Sequence, residues 1–405
     1  MVRTLKQMSV SARAAQRPHT AMSTAMSIAK SLAAAFIVTA FCGSSLAQTT
    51  LPLPAFDNLP TVVKCLSGDG CTPSPAQPGA PRAICPADES IKSMPEALRS
   101  RIRDFGKTDA AVKCAIAESD MAPMAAAIRD GYEAGNDSTL NGAQLTAASR
   151  YVDDCLSPEL LANAGPLSQS EQSFLNETVA LIVERHNPAW GSPRPICTAI
   201  ALGRFVVTAR DCLPASVTSQ AGRGTYLEDI ALRLFSRPTL YGLVLHRFGS
   251  EIDPAFSQHN DIALLETVGA QELWRPQGAT PRLGTIRLHE DLFALTTNIF
   301  LRVTANVRGG DEPDFTPATR LHHSILCRPA HIAPNGVFLH GCRLASVVTR
   351  GAPLFQRQEG RLVFVGIHAG TTETLADRSL AACAPGLPNY GIAIPPALLI
   401  RTFLK

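Results

Sequence analysis

The chain has 405 residues, enough for two or three domains, and it is 45% apolar and 18% charged, the make-up of a protein with a sizeable core. Its net charge of +3 becomes −2 once the five basic residues before position 48 (Arg3, Lys6, Arg13, Arg17 and Lys30) are set aside, because no Asp or Glu accompanies them. A nearly neutral remainder argues against a nucleic-acid or anionic-membrane partner.

The N-terminus carries Lys30, an apolar run from Leu32 to Phe41, and small residues at Ser45 and Ala47. This order predicts a secretory signal peptide over 1–47, with cleavage before Gln48 and a secreted or periplasmic mature chain. A membrane anchor is the alternative, but the run is short for a hydrocarbon core of ~30 Å. Ten of the 11 cysteines follow Cys42, and an even number in an exported chain points to disulfides. No C-x-x-C and no Cys/His cluster of zinc-ligand spacing occurs, so no metal or other cofactor is expected.

Residues 48–85 are rich in Pro, Gly and small polar residues and read as a linker with little core of its own. Cys65 and Cys71 flank the turn signal Ser67-Gly68-Asp69-Gly70, and a local pairing or a distant one is open to each. Residues 86–175 read as a small helical accessory domain or pro-region. Ser93-Met94-Pro95-Glu96 fits a helix start with Ser93 as cap. Leu98, Ile102 and Phe105 follow at helical spacing, as do Met124, Ile128 and Tyr132, then Ala147, Tyr151 and Cys155. Gly135-Asn136-Asp137 separates helices, and Cys114–Cys155 is a candidate staple.

From residue 176 to 405 strand signals dominate. Strands are predicted at Val179–Val183, Thr198–Leu202, Phe205–Thr208, Asp229–Phe235, Tyr241–His246 and Asp261–Leu265. After a connector rich in Pro and Gly, further strands are predicted near Asn298–Val307, Leu321–Cys327, Val337–His340, Leu362–His368 and Tyr390–Ile394. Pro395-Pro396 then introduces an apolar terminal helix, Ala397–Leu404. Many short strands with turn signals suggest β-barrels.

The stretch from Cys197 to Leu213 reads as two strands joined by a Gly203-Arg204 turn, and a Cys197–Cys212 disulfide would tie the following turn back to the first strand. This segment resembles the chymotrypsin-like (trypsin-like) serine proteases, whose first barrel carries Leu-Thr-Ala-Ala-His-Cys; here the matching residues are Val207-Thr208-Ala209-Arg210-Asp211-Cys212. Asn260-Asp261-Ile262-Ala263-Leu264-Leu265 resembles the segment that holds the catalytic aspartate, with Asp261 at that position. Val348-Thr349-Arg350-Gly351-Ala352-Pro353-Leu354 resembles Gly-Asp-Ser-Gly-Gly-Pro-Leu, with Arg350 at the nucleophile position. Val365-Gly366-Ile367-His368-Ala369-Gly370 is similar to the strand lining the specificity pocket, in the form found in the glutamyl endopeptidase branch. Tyr390-Gly391-Ile392-Ala393-Ile394 is similar to the last strand. The resemblance spans about 178–405 and implies a mostly β fold: a double six-stranded antiparallel β-barrel preceded by the small helical domain.

The resemblance also implies a Cys327–Cys342 disulfide and pocket residues His368, Gly370 and Leu344. His368 either helps bind a substrate carboxylate or is a partly buried histidine with a backbone partner. The chemistry of the triad is missing. A serine attacks only when an imidazole accepts its proton and a carboxylate orients that imidazole. Asp211 stands at the histidine position and is a far weaker base, with a reference pKa of ~3.9. Arg350 is permanently protonated and cannot attack a carbonyl. Val348 replaces the glycine of the oxyanion loop, and Thr349 replaces the aspartate that pairs with a new N-terminus on activation. Arg350 is expected to pair with Asp211, alone or together with Asp261, or else to point into solvent. A buried pairing would make Arg350→Ala cost about 3–5 kcal/mol. The expected function is that of a secreted protease homologue without activity, holding a protein or peptide ligand in the inherited cleft. The competing expectations are a working serine endopeptidase and an exported structural protein that uses the barrels as a scaffold.

Overall fold

The computed structural model describes residues 58–70, 86–133, 139–156, 168–186, 193–214, 217, 224–235, 239–248, 251, 261–269, 282–295, 321–322, 324–344, 347–375, 377, 379–380 and 386–394. All of them belong to one unit, Thr49–Lys405. The expected signal segment, the Asn298–Val307 strand, the terminal helix and Cys71, Cys85 and Cys383 lie outside the described residues.

Helices come first: α1 Leu59–Leu66, α2 Pro86–Lys92, α3 Glu96–Gly106, α4 Asp109–Met121, α5 Ala125–Glu133, α6 Gly142–Cys155 and α7 Gln169–Thr178. α1 departs from the expected linker. Asn58 caps it by accepting the Thr61 N–H, Pro60 sits in the first turn where a missing N–H costs nothing, and Leu59, Val62, Cys65 and Leu66 are buried. Cys65 is disulfide-bonded. The cap expected at Ser93 is also corrected. α3 begins at Glu96 behind Pro95 with no side-chain cap, and the Ser93 hydroxyl donates to the Ser90 carbonyl instead (2.7 Å). α6 and α7 start with reciprocal capping boxes, Asn141 with Gln144 and Ser168 with Glu171. The expected staple is formed: Cys114 of α4 bonds Cys155 of α6.

α7 runs directly into β1 (Val179–Glu184), the first of six strands that close into a barrel. The others are β2 Arg194–Leu202, β3 Phe205–Ala209, β4 Ile230–Leu234, β5 Leu240–Phe248 and β6 Ile262–Val268, in the order β1-β2-β3-β6-β5-β4 with β1 also paired to β4. β3 is buried along its whole length, because closure hides both its edges and neighbouring chain covers its outer face. The β2–β3 turn uses Gly203 at φ +68°, a conformation that a side chain resists. The antiparallel register of β3 on β6 pairs Ala209 with Ile262. The residues that follow Ala209 and precede Ile262 therefore meet at one end of the barrel, where the Arg210 N–H donates to the Asp261 carbonyl (2.7 Å).

The second sheet contains β7 Arg282–Leu283, β8 Leu292–Leu295, β9 Leu321–His322, β10 Pro329–Ile332, β11 Val337–His340, β12 Pro353–Gln358, β13 Arg361–Thr371 and β14 Asn389–Ala393. Its order is β10-β11-β14-β13-β12-β8-β9, with β7 lying parallel on β13. The architecture is thus the expected mostly β one of two curled antiparallel sheets with helices before them. The second sheet differs in staying open among the described residues, since its end strands β9 and β10 do not pair. The strand expected at Leu321–Cys327 stops at His322: the chain turns so that the Cys327 N–H reaches the Ser324 carbonyl (2.9 Å), and Cys327 is tied to Cys342.

α1, α2 and α4 rest on the second sheet, and α7 packs against β2 and β4 of the first barrel. Arg343 and Glu118 of α4 form an ion pair with side chains 3% and 5% exposed, and the other Glu118 oxygen accepts the Leu59 N–H (2.9 Å). Ser90 of α2 bonds His331 of β10 (2.8 Å).

Candidate functional site

β3 ends in a tight 3-10 turn, Arg210–Cys212, and the Cys197–Cys212 disulfide fastens that turn to β2. The turn leaves the Asp211 side chain 54% exposed at the barrel mouth. Asp261 sits one residue before β6 at the same mouth. Arg350 arrives from the second sheet, after the 3-10 turn Val347–Thr349.

Arg350 Nη1 donates to Asp211 Oδ2 at 3.0 Å, with the Arg350 side chain only 10% exposed. Asp261 Oδ2 instead accepts the phenol O–H of Tyr390 on β14, at 3.1 Å. The structure therefore brings together the three residues that sequence reading assigns to triad positions, and Arg350 pairs with Asp211. Burial pushes the Tyr390 phenol far above its usual range, and the negative charges of Asp261 and Asp211 push in the same direction. Tyr390 thus stays a neutral donor. Sequence reading takes Tyr390 only as part of a strand; the missed signal is a tyrosine at an interior strand position, whose polar tip needs a partner.

The loop carrying Arg350 is clamped to the first barrel. The Thr198 N–H donates to the Arg350 carbonyl (2.8 Å), and the Thr198 hydroxyl donates to the Val348 carbonyl (2.6 Å). Thr208 completes the set by donating to the Thr198 carbonyl (2.8 Å). Both threonines are fully buried in otherwise apolar strands, and that contrast was the available clue to them. Gly351 follows at φ +75° and donates its N–H to the His368 carbonyl (2.8 Å). A Cβ there would run into the Thr198 carbonyl and the Thr208 hydroxyl, so this position admits glycine alone. Thr349 is buried and donates to the Leu344 carbonyl (3.0 Å).

The expected pocket residues face inward. Leu344 and His368 are 2% and 1% exposed. His368 is thus fully rather than partly buried, and its Nδ1 lies 3.3 Å from His340 Nε2 on β11. Gly370 pairs with Tyr390 beyond a bulge in β13, and the Tyr390 ring and Thr374 occupy the space beside it. The Cys342 N–H donates to His340 Nδ1 (3.2 Å), so the proton of that neutral imidazole sits on Nε2 and points at His368. Burial lowers the His340 pKa to about 3, against a weaker opposing contact with the Tyr390 backbone. His368 is driven well below its ordinary value, first by burial and then by His340 and Arg350.

Chemically the arrangement holds charges in place. The Arg350 guanidinium is an obligate cation, and the Asp211 carboxylate that faces it is its counter-ion.

No family profile matches the sequence, and no curated protein does. Among solved structures the chain is similar to the tobacco vein mottling virus protease, at 11% identity and a TM-score of 0.34, over 60% of this chain and 89% of that one. It is similar to kallikrein-related peptidase 10 in complex with Zn2+, at 13% and 0.33, over 60% and 99%. A scabies mite inactivated protease paralogue, S-D1, gives 14% and 0.30, over 56% and 91%.

Proposed function

We propose that this chain is a secreted homologue of the trypsin-like serine proteases that does not cleave peptides and works by binding a protein or peptide. The carrying observation is the 3.0 Å pair between Arg350 and Asp211, the residues at the nucleophile and general-base positions. A hydrolase of this type needs a neutral hydroxyl beside a base that titrates near neutrality. The ion pair supplies neither. The disulfides Cys114–Cys155, Cys197–Cys212 and Cys327–Cys342, together with the disulfide-bonded Cys65, support passage through an oxidising compartment. No described helix is long and apolar enough to cross a membrane.

The test of inactivity is turnover of casein by the purified full chain. The expected result is no cleavage above a buffer control across neutral and alkaline pH. Cleavage that co-purifies with the chain and vanishes in an Asp261→Asn variant would restore the working-endopeptidase reading.

A further inference from the structure

We propose that the arginine-lined pocket between α3 and the second sheet binds a multiply charged carboxylate ligand. This pocket, of about 760 Å³, is separate from the Arg350 site and does not depend on whether that site is inert. Its volume falls in the range of ligand-binding clefts, and it lies where one structural layer meets another, a preferred location for such clefts.

Four guanidinium groups line it: Arg101 from α3, Arg287 from the segment before β8, Arg328 from the turn before β10, and Arg357 from β12. The carboxylates on its wall are fewer, Glu290 and Asp291. Arg328 is fully engaged, with Nη2 on Asp291 (2.6 Å), Nη1 on the His289 carbonyl (2.7 Å) and Nε on the Ile325 carbonyl (2.6 Å). Arg357 reaches Glu171 (3.3 Å) and lies over the Phe293 ring. Arg287 holds Glu290 only at 3.4 Å, with both side chains near half exposure. Arg101 has no carboxylate in reach among the described residues, and its charge repels Arg328. A guanidinium beside another of its own sign is stabilised by an anion placed between them, and its planar fork matches a carboxylate.

A second observation lies in the same wall. His289 adopts φ +63°, one of two non-glycine residues at positive φ among those described. Its Nε2 is engaged with the Ser93 hydroxyl (3.1 Å), while its buried Nδ1 has no hydrogen-bond partner. Backbone strain and an unsatisfied polar atom gather at ligand sites, where a bound molecule satisfies what the fold leaves open. Pro95, Leu98 and Phe293 supply an apolar side to the pocket, suited to the methylene groups between the ligand's carboxylates. A free polycarboxylic acid and an acidic peptide share this chemistry.

Calorimetric titration of the purified full chain with tetraglutamate, citrate and inorganic phosphate tests the proposal. Arg101 and Arg287 are exposed, so the Arg101→Gln/Arg287→Gln double variant keeps the fold, which is checked by its melting curve. The expected result is binding of tetraglutamate or citrate that the double variant weakens by roughly tenfold or more. Tetraglutamate alone identifies a peptide source, and citrate alone a small free acid. Equal affinity in the double variant, tighter binding of phosphate than of either carboxylate, or no binding of the carboxylates at about 1 mM overturns the proposal.

Discussion

Arg350 is nearly buried, but Asp211 is half exposed, and this asymmetry sets what their pairing is worth. The 3–5 kcal/mol expected for a buried pair does not apply, because water screens the carboxylate; the coupling belongs with exposed pairs at about 0.5–1 kcal/mol. A double-mutant cycle of Arg350→Ala and Asp211→Ala, read by urea denaturation, should return a coupling in that range, and a value indistinguishable from zero would contradict the pair. Tyr390→Phe should cost more, about 1–2 kcal/mol, since it removes a donor from a carboxylate at the mouth of the first barrel. Equal stability of the Phe variant and the parent would show that this bond contributes nothing. The buried histidines make a pH forecast. Both have folded-state pKa values below the ordinary 6.5, His340 at about 3, so the unfolded chain binds more protons as pH falls below 6.5. Their contribution to stability is full above about 6.5 and is lost toward about 3, at up to about 1.4 kcal/mol per pH unit for each imidazole. His340→Gln should flatten that slope, and an unchanged slope would refute the assignment. At this scale the sequence made Asp211, Asp261 and Arg350 legible because cysteines and glycines frame them in a recognisable order. Tyr390 and Thr198 showed locally only as polar residues in apolar strands, and their partners, 129 and 150 residues away, left no trace in the sequence.

Among the elements, the contact between α4 and the second sheet turns on Glu118 and Arg343. Removing one member of a buried pair strands the other, so Glu118→Ala should destabilise the chain by about 3–5 kcal/mol. Replacing both together, Glu118→Leu with Arg343→Met, should cost less than Glu118→Ala alone. Melting curves of the single and double variants check this, and simple additivity would contradict a direct pairing. The strands of the first barrel were readable because alternation or continuous apolar character is strong there and Gly203 marks the turn. β8, β10 and α1 were not readable, each for a local reason. β10 begins with Pro329 and α1 carries Pro60 in its first turn, so in both a residue that usually breaks structure stands where it does no harm. β8 has four residues, too few to show a period.

Over the whole molecule, α1, α2 and α4 pack against the second sheet, while α7 packs against β2 and β4 of the first barrel. α1, buried inside the stretch that composition marks as a linker, has its first backbone N–H held by Glu118 of α4. Composition misled there because the short buried face of α1 is diluted by the Pro- and Gly-rich sequence around it. The closed first barrel, the curled second sheet and the clamped Arg350 loop hold a salt-paired arginine at the position that sequence reading expects for a nucleophile. Incubation of the purified full chain with a fluorophosphonate probe tests that claim most directly, because the probe reacts only with a base-activated hydroxyl. The account predicts no labelling above that of heat-denatured protein, and none in an Arg350→Ser variant either, since Asp211 is too weak a base to activate the new serine. Stoichiometric labelling of a serine in the unmutated chain would contradict it.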